Sequence, residues 1–504
     1  MKSPQPAVLD VRSEPYTRGY YRALSPAQMS VALESRGVCG PDLSAPLNCF
    51  ELGMGFGLPL VAHAACFPHM RFYGNDFNPH HVAYADQLAR DAGLTNVEVF
   101  EDAFETLLER DLPPMDIISM HGVYSWISPA LRKVVMRFIA ERLRPGGVVF
   151  VSHNALPGWA AQMPLRELVN LHGLRQVPVS ATPIERLSQT LDFLDDFAKV
   201  NPAYFGGDVS VQARLYSLRR LDPHYAAHEY FNPDWHPMHF HQVASEMAEA
   251  GLEFAAPAVL AQQVDAAILS DATRELLSGV DDPLMRETLR DFALNTSFRW
   301  DLYTRGAPRA SAAQQEQFRL DRAWILATAR SETKESPLSD SAAEHVDGAT
   351  VARLLDALAQ GPATARELAE RPELASLGAE FIVEALMLLE NEAQVHPALP
   401  AALRESARES VLRFNAAIMQ RPEDDGLHYL SCSASGQAMG WSAMAMAQIR
   451  SACQGAQTPL EMADAMRARF QGDGEGQMPA ERLEHSARCF FAGRGPVLRN
   501  LGLL

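Results

Sequence analysis

At 504 residues the chain has room for about two to four domains and a sizeable core. Its formal charge of −18, from 44 basic against 62 acidic side chains, works against a polyanionic nucleic-acid substrate and suits a basic protein or a small molecule. The six cysteines, at 39, 49, 66, 432, 453 and 489, form no Cys-x-x-Cys pair, which excludes a disulfide framework and a zinc knuckle. The beginning lacks the basic-then-apolar pattern of a signal peptide, and no apolar run approaches the roughly 20 residues that span a bilayer. The expectation is a cytoplasmic protein without membrane insertion.

Residues 1–45 carry Tyr16, Tyr20 and Tyr21 around Gly19, then a short helix after Pro26, and are expected to form an N-terminal flap. From Leu47 to His153 the pattern alternates strand and helix. Strands are predicted near 47–51, 71–75, 96–100, 115–120 and 147–153, with helices near 58–67, 79–92, 103–109 and 129–143. The short β-rich apolar runs are those of parallel strands covered on both faces, which gives an α/β, doubly wound sheet with its ligand crevice at the carboxyl ends of the strands.

The first strand runs into Glu51-Leu52-Gly53-Met54-Gly55-Phe56-Gly57. Glycines there let the backbone turn sharply and approach a ligand, and the following helix points its positive end at whatever sits above the turn. The Lys-Ser/Thr ending of a phosphate loop is missing, and the Gly-x-Gly-x-Gly spacing is a poor dinucleotide fingerprint. Asp76, about 20 residues on, ends the second strand where a carboxylate can grip a ribose diol, which suits NAD and S-adenosylmethionine alike. Asp102-Ala103 follows the third strand, and His121-Gly122-Val123-Tyr124-Ser125-Trp126 follows the fourth.

The sheet needs two further strands, and a helical segment intervenes first. Residues 161–235 read as a helical insertion (Arg166 to His172, Pro183 to Val200, Val209 to Leu221), placed to act as a lid or substrate element. The missing helix is expected at 240–250, the sixth strand at 251–254 and the seventh at 297–303, completing the region 236–306. At the exit of the insertion lie Tyr225-Ala226-Ala227-His228-Glu229-Tyr230-Phe231-Asn232-Pro233 and a run of histidines at 236, 239 and 241. Their spacing fits no single helical face and Pro237 interrupts them, so no metal site is expected.

These motifs resemble class I S-adenosylmethionine-dependent methyltransferases with a Rossmann-like seven-stranded sheet. With Asn154-Ala155-Leu156-Pro157-Gly158-Trp159 and the 225–241 stretch, they resemble more narrowly the members carrying a methyltransferase regulatory domain, among them the rickettsial-type protein-lysine methyltransferases. The resemblance covers residues 16 to 306 well and the rest loosely. It implies S-adenosyl-L-methionine as cofactor, with Glu51, Gly53 and Gly55 shaping the methionine end, Asp76 on the ribose, and Phe77, Asp102 and Ala103 on the adenine. Tyr16, Tyr20 and His121 are further expected against the cofactor. It implies methyl transfer to a protein lysine, with Tyr124, Trp126, Asn154 and Trp159 lining the acceptor pocket. His121, Tyr124, His228, Glu229 and Tyr230 are the catalytic candidates. A small-molecule methyltransferase and an inactive cofactor-binding interaction protein are the alternatives, and an NAD-dependent oxidoreductase is the rival enzyme class.

After a helix and linker over 307–350, residues 351–430 show three helical patterns and a strand at 393–396 that read as a winged helix, and 431–504 continue as helices. Between 351 and 410 ten acidic residues stand against five arginines, a local charge of −5 that would repel a duplex. The expectation is no nucleic-acid partner, with the region recognising a protein substrate or mediating self-association as a homodimer.

Overall fold

The computed structural model describes residues 18–207, 209–333, 337–421, 427–469 and 479–504. Strands β1 (Asn48–Leu52), β2 (Arg71–Asp76), β3 (Val97–Glu101), β4 (Met115–Met120), β5 (Leu143–Asn154), β6 (Glu253–Pro257) and β7 (Phe298–Thr304) form one sheet in the order β3-β2-β1-β4-β5-β7-β6. The first five are mutually parallel, and β7 runs antiparallel to both β5 and β6. Order reverses between β1 and β4, so the carboxyl ends of those two strands splay their connections apart and open a crevice. Every side chain of β4 is buried, as a central strand covered by helices on both faces requires.

The helical insertion spans helices from Met163–Arg175 to Pro223–Phe231 and closes around a small core of its own, including Leu165, Leu191, Leu194, Phe205 and Tyr230. Four N-terminal caps set its geometry and that of its neighbours: Ser128, Thr182, Asp222 and Asn78 each accept a backbone N–H in the first turn, with proline one place on. The helix Pro283–Leu294, which precedes β7, has no counterpart among the predicted elements.

The C-terminal region departs from its expected form. The stretch 331–350 is not a plain linker: Leu338, Ala342 and Val346, four residues apart, are buried in the main core, and helix Asp340–His345 carries the middle one. Strand β8 (Ala323–Leu326) precedes the expected winged helix and supplies the middle strand of a sheet with β9 (Ala363–Thr364) and β10 (Val395–Pro397), in the order β10-β8-β9. Helices Gly348–Leu358, Ala365–Ala369 and Ala379–Asn391 take the expected sequence, but β10 runs on into helix Ala401–Gln420 where a wing would begin. On Ala379–Asn391 the stripe Ile382, Ala385, Leu386 and Leu389 is fully buried, so its apolar face is spent on its own fold.

This region also covers the sheet. Ser410 Oγ donates to the Ala65 carbonyl (2.6 Å), and in the hairpin of β11 (Tyr429–Cys432) and β12 (Gln437–Gly440) Ser431 Oγ donates to that of Ala62 (3.2 Å). Both carbonyls belong to helix Leu58–Cys66, the one that leaves the glycine turn. The buried apolar core therefore runs unbroken from Ala23 to Leu503. Among the described residues no helix is long and apolar enough to cross a membrane.

Candidate active site

Strand β1 ends at a turn whose glycines have positive φ, +66° at Gly53 and +55° at Gly55. At Gly53 a Cβ would stand 2.7 Å from Val123 of the β4 loop, whereas above Gly55 nothing lies within 4 Å. The first glycine is needed for close packing and the second leaves an open face for a ligand.

The end of β2 holds this turn. Asp76 accepts the Gly55 N–H (2.9 Å) and the Asn78 N–H (2.9 Å), with His81 Nδ1 at 3.2 Å. Asn75 Nδ2 donates to the Asp102 carbonyl (2.9 Å), joining the ends of β2 and β3. Sequence reasoning missed Asn75, although a polar pair closing an apolar strand is visible there. Glu51 is buried, and burial beside Asp76 pushes its carboxyl up from about 4.5 to about 8. Phe77 stands 56% exposed at the rim, an apolar ring that a stacked base would cover. Ala103 is exposed just after β3, and Asp102 pairs with Arg110 and receives the Thr106 hydroxyl.

Three candidates are corrected. Tyr20 turns away from the crevice: its hydroxyl accepts the Ala438 N–H (2.7 Å) and meets His63 Nε2 (2.9 Å), fastening the N-terminal segment to β12. Tyr21 is the tyrosine that faces the β4 loop, its ring 3.9 Å from that of His121. Tyr124 is fully buried on the opposite face of the sheet, its hydroxyl bonded to Glu246, which also pairs with Arg132. Tyr230 is fully buried in the core of the insertion and receives Arg214 Nε on its hydroxyl (3.0 Å). Tyr16 lies outside the described residues.

His121 packs among Tyr21, Trp300 (5.0 Å) and Phe298 (6.1 Å), with Nδ1 2.8 Å from Ser152 Oγ. Burial drives its pKa down to about 3, so the ring is neutral and too weak a base to take a proton from an ammonium. Its geometry suits a positioning wall.

The insertion does return to the β4 loop. Trp126 and His228 stack at 6.5 Å and 23°, the His236 N–H donates to the Ser125 carbonyl (2.8 Å), and Asn232 Nδ2 reaches the Trp126 carbonyl (3.4 Å). Glu229 is 1% exposed and meets the end of β5: its Oε1 accepts Trp235 Nε1 (2.9 Å) and Asn154 Nδ2 (3.3 Å). Burial raises its pKa, opposed by Trp235, Arg214, Arg166 and Asn154. Trp159 packs edge-on against Trp235 (4.9 Å) under Arg214 (4.8 Å). The structure thus gathers Tyr21, His121, Trp126, Asn154, Trp159, His228 and Glu229 at the carboxyl edge of the sheet. Tyr225 joins them, near enough to feel Glu229, Arg214 and Tyr21 as charges while burial raises its phenol. Sequence reasoning missed it too, although positions 225, 228, 229 and 232 share one helical face.

The chain matches a methyltransferase domain over residues 50–149 and a predicted methyltransferase regulatory domain over 222–305. It is 33% identical over 503 residues to the uncharacterized protein sll1526 of Synechocystis, covering 97% of each chain. To the uncharacterized protein RP789 of Rickettsia prowazekii it is 24% identical over 291 residues, 57% of this chain and 51% of the relative. Its fold is similar to that of PKMT2 from Rickettsia typhi, solved in complex with AdoHcy, with a TM-score of 0.70 at 16% identity over 97% of this chain and 99% of that one.

Proposed function

For a chain that belongs to the class I S-adenosylmethionine-dependent methyltransferases carrying a methyltransferase regulatory domain, we propose that the acceptor is the side-chain amine of a protein lysine. The observation that carries this is the pairing of an aromatic crevice with one buried carboxylate. Tyr21, Trp126 and His228 offer ring surface to an alkyl chain and its cation, and Glu229 with Asn154 forms a polar end. The likeness to PKMT2, and an insertion larger than a metabolite site needs, support the same reading.

The cofactor supplies an electrophilic methyl on a sulfonium. A deprotonated lysine nitrogen would form the new N–CH3 bond with its own lone pair, while the S–CH3 bonding pair would stay on sulfur and leave a neutral thioether. Alignment of nitrogen, methyl and sulfur is the main contribution required of the protein, and such alignment is worth effective molarities of about 10⁵ to 10⁸ M. In this reading Asp76 keeps the glycine turn in place and offers its spare lone pairs to the ribose diol, Phe77 and Ala103 flank the adenine, and Glu51 lies toward the methionine end. An ammonium, with a pKa of about 10.4 in water, must lose a proton before attack, and Glu229 is the acceptor for it at the crevice.

Glu51 supplies a pH signature. A carboxyl at about 8 is protonated at neutral pH, and a cationic cofactor favours its ionised form, so binding S-adenosylmethionine should expel a proton. Affinity should rise with pH up to about 8 and then level off, with a shallower slope for S-adenosylhomocysteine, which lacks the sulfonium. Without ligand the sign reverses. Between about 4.5 and 8 the folded state holds a proton that the unfolded state has lost, so this group's contribution to stability falls as pH rises through that window. Calorimetry in buffers of different ionisation enthalpy counts the proton, and zero release at pH 7 would remove Glu51 from the cofactor site.

The acceptor class is tested by incubating the protein with methyl-labelled cofactor and lysate fractions separated by size. Label is expected in the protein fraction. Label confined to small molecules would replace the reading by its small-molecule alternative.

A further inference from the structure

The wall of the crevice that carries Trp126 has little rigidity of its own. Tyr124–Trp126 is a single 3-10 turn, closed by the Trp126 N–H on the Val123 carbonyl (2.8 Å), and Val123 supplies no side-chain cap. Hydrogen-bond geometry in such a turn is poor. The direction in which Trp126 points is therefore set by what holds residues 124–127 from outside.

Each of these residues is tethered. The Tyr124 hydroxyl donates to Glu246 Oε2. The Ser125 hydroxyl accepts the Asn154 N–H (2.8 Å) and its carbonyl accepts the His236 N–H (2.8 Å). The Trp126 carbonyl accepts Asn232 Nδ2 (3.4 Å), and the Ile127 carbonyl accepts Arg132 Nη1 (3.4 Å).

The first and last tethers form one unit. Buried Arg132 donates Nε (3.1 Å) and Nη2 (3.4 Å) to the Glu246 carboxylate while its Nη1 holds Ile127, and its guanidinium lies 5.7 Å from the centre of the Tyr124 ring. The planar fork of an arginine can make both sets of bonds at once, and the charged carboxylate strengthens the bond from the phenol. The loop is thus clamped at both ends by an ion pair and a tyrosine that packs on the face of the sheet away from the crevice. Its middle, Trp126, turns the other way and stacks on His228. Glu246 belongs to helix Phe240–Glu249, inside the 222–305 region, as do Asn232 and His236.

We propose that Tyr124, Glu246 and Arg132 are positioning residues of the methyl transfer: they fix from behind the loop that presents Trp126 to the acceptor, and they link the 222–305 region to that wall. The role of Trp126 toward a lysine rests on the reading above, whereas the clamp does not. Loosening the clamp lets the Trp126 ring adopt more than one orientation, which misaligns the acceptor atom and slows transfer while leaving the cofactor in place.

The test uses the full chain labelled with fluorotryptophan, read by fluorine NMR, together with its transfer of labelled methyl groups into unfractionated lysate. The chain has six tryptophans, and the resonance lost in Trp126→Leu identifies Trp126. Tyr124→Phe removes only the hydroxyl and leaves the Arg132–Glu246 pair, whereas Glu246→Gln removes the charge that both partners meet. In each, the Trp126 resonance should shift or broaden while those of Trp324 and Trp441 stay in place. Transfer should slow about tenfold with S-adenosylhomocysteine affinity within about threefold of the parent, and the loss should largely vanish when the change is added to Trp126→Leu. A parental Trp126 resonance in both variants, a parental rate, or a loss that simply adds to that of Trp126→Leu overturns the proposal. A displaced resonance with slowed transfer to an atom other than a lysine nitrogen would uphold the clamp and sink the lysine reading instead, and a parent that transfers no methyl would overturn both.

Discussion

A Glu229→Gln protein should bind S-adenosylhomocysteine as the parent does and yet transfer methyl groups about 10² to 10⁴ times more slowly, the usual loss when a positioned general base is removed. The substitution keeps the shape of the side chain, and its amide oxygen can still receive Trp235 Nε1 and Asn154 Nδ2, which now meet Glu229 Oε1. What disappears is the capacity to take a proton. Burial raises the pKa of this carboxyl above its ordinary 4.5, so in the parent the rate should fall as pH drops and the carboxylate protonates. That acid limb should be missing from the variant. Turnover of the Glu229→Gln protein within about threefold of the parent, or retention of the limb, would assign Glu229 to packing alone and leave solvent as the proton acceptor.

The second large effect is expected at Asp76→Ala. Affinity for S-adenosylmethionine and for S-adenosylhomocysteine should fall together, by about a hundredfold, because charge-assisted hydrogen bonds are worth roughly 1.5 to 3 kcal/mol each. The same change removes the acceptor of the Gly55 and Asn78 N–H groups and so loosens the turn over which the cofactor lies. Asp76→Asn separates the contributions: it retains an oxygen for the turn but not the charge for the diol, and should recover part of the loss. Calorimetry on the three proteins is the measurement, and parental affinity in Asp76→Ala would dissociate the end of β2 from cofactor binding.

Much of the sheet is legible in the sequence because its signals are local. Short apolar runs, a glycine turn after the first and proline at helix starts place all seven strands to within a few residues, including the two beyond the insertion. Side-chain direction in loops is not legible. Tyr20 and Tyr21 are neighbours, and only contacts with His63 and Ala438, 43 and 418 residues away, send one to the C-terminal region while the other faces His121. Tyr124 and Trp126 diverge in the same way within a single 3-10 turn, one toward Glu246 and the other toward His228.

On a regular helix the direction can be read. Ala226, Ala227, Tyr230 and Phe231 are apolar at helical spacing and all lie in the core of the insertion, which leaves Tyr225, His228, Glu229 and Asn232 for the other face. A catalytic role for Tyr230 therefore ran against its own periodicity. The C-terminal region is illegible for a further reason: β8 joins β10 from some 70 residues upstream, and no local pattern announces a pairing at that distance.

Delivery of a lysine nitrogen to the cofactor by the aromatic crevice is tested most directly by peptide mass spectrometry. Proteins from the lysate fractions, incubated with the enzyme and a heavy-methyl cofactor, reveal the acceptor atom. Heavy methyl groups are predicted on lysine side chains, absent when Glu229→Gln or Asp76→Ala protein is used under the same conditions. Heavy methyl on glutamate, glutamine, arginine or a chain terminus, with unmodified lysines, would contradict the lysine assignment.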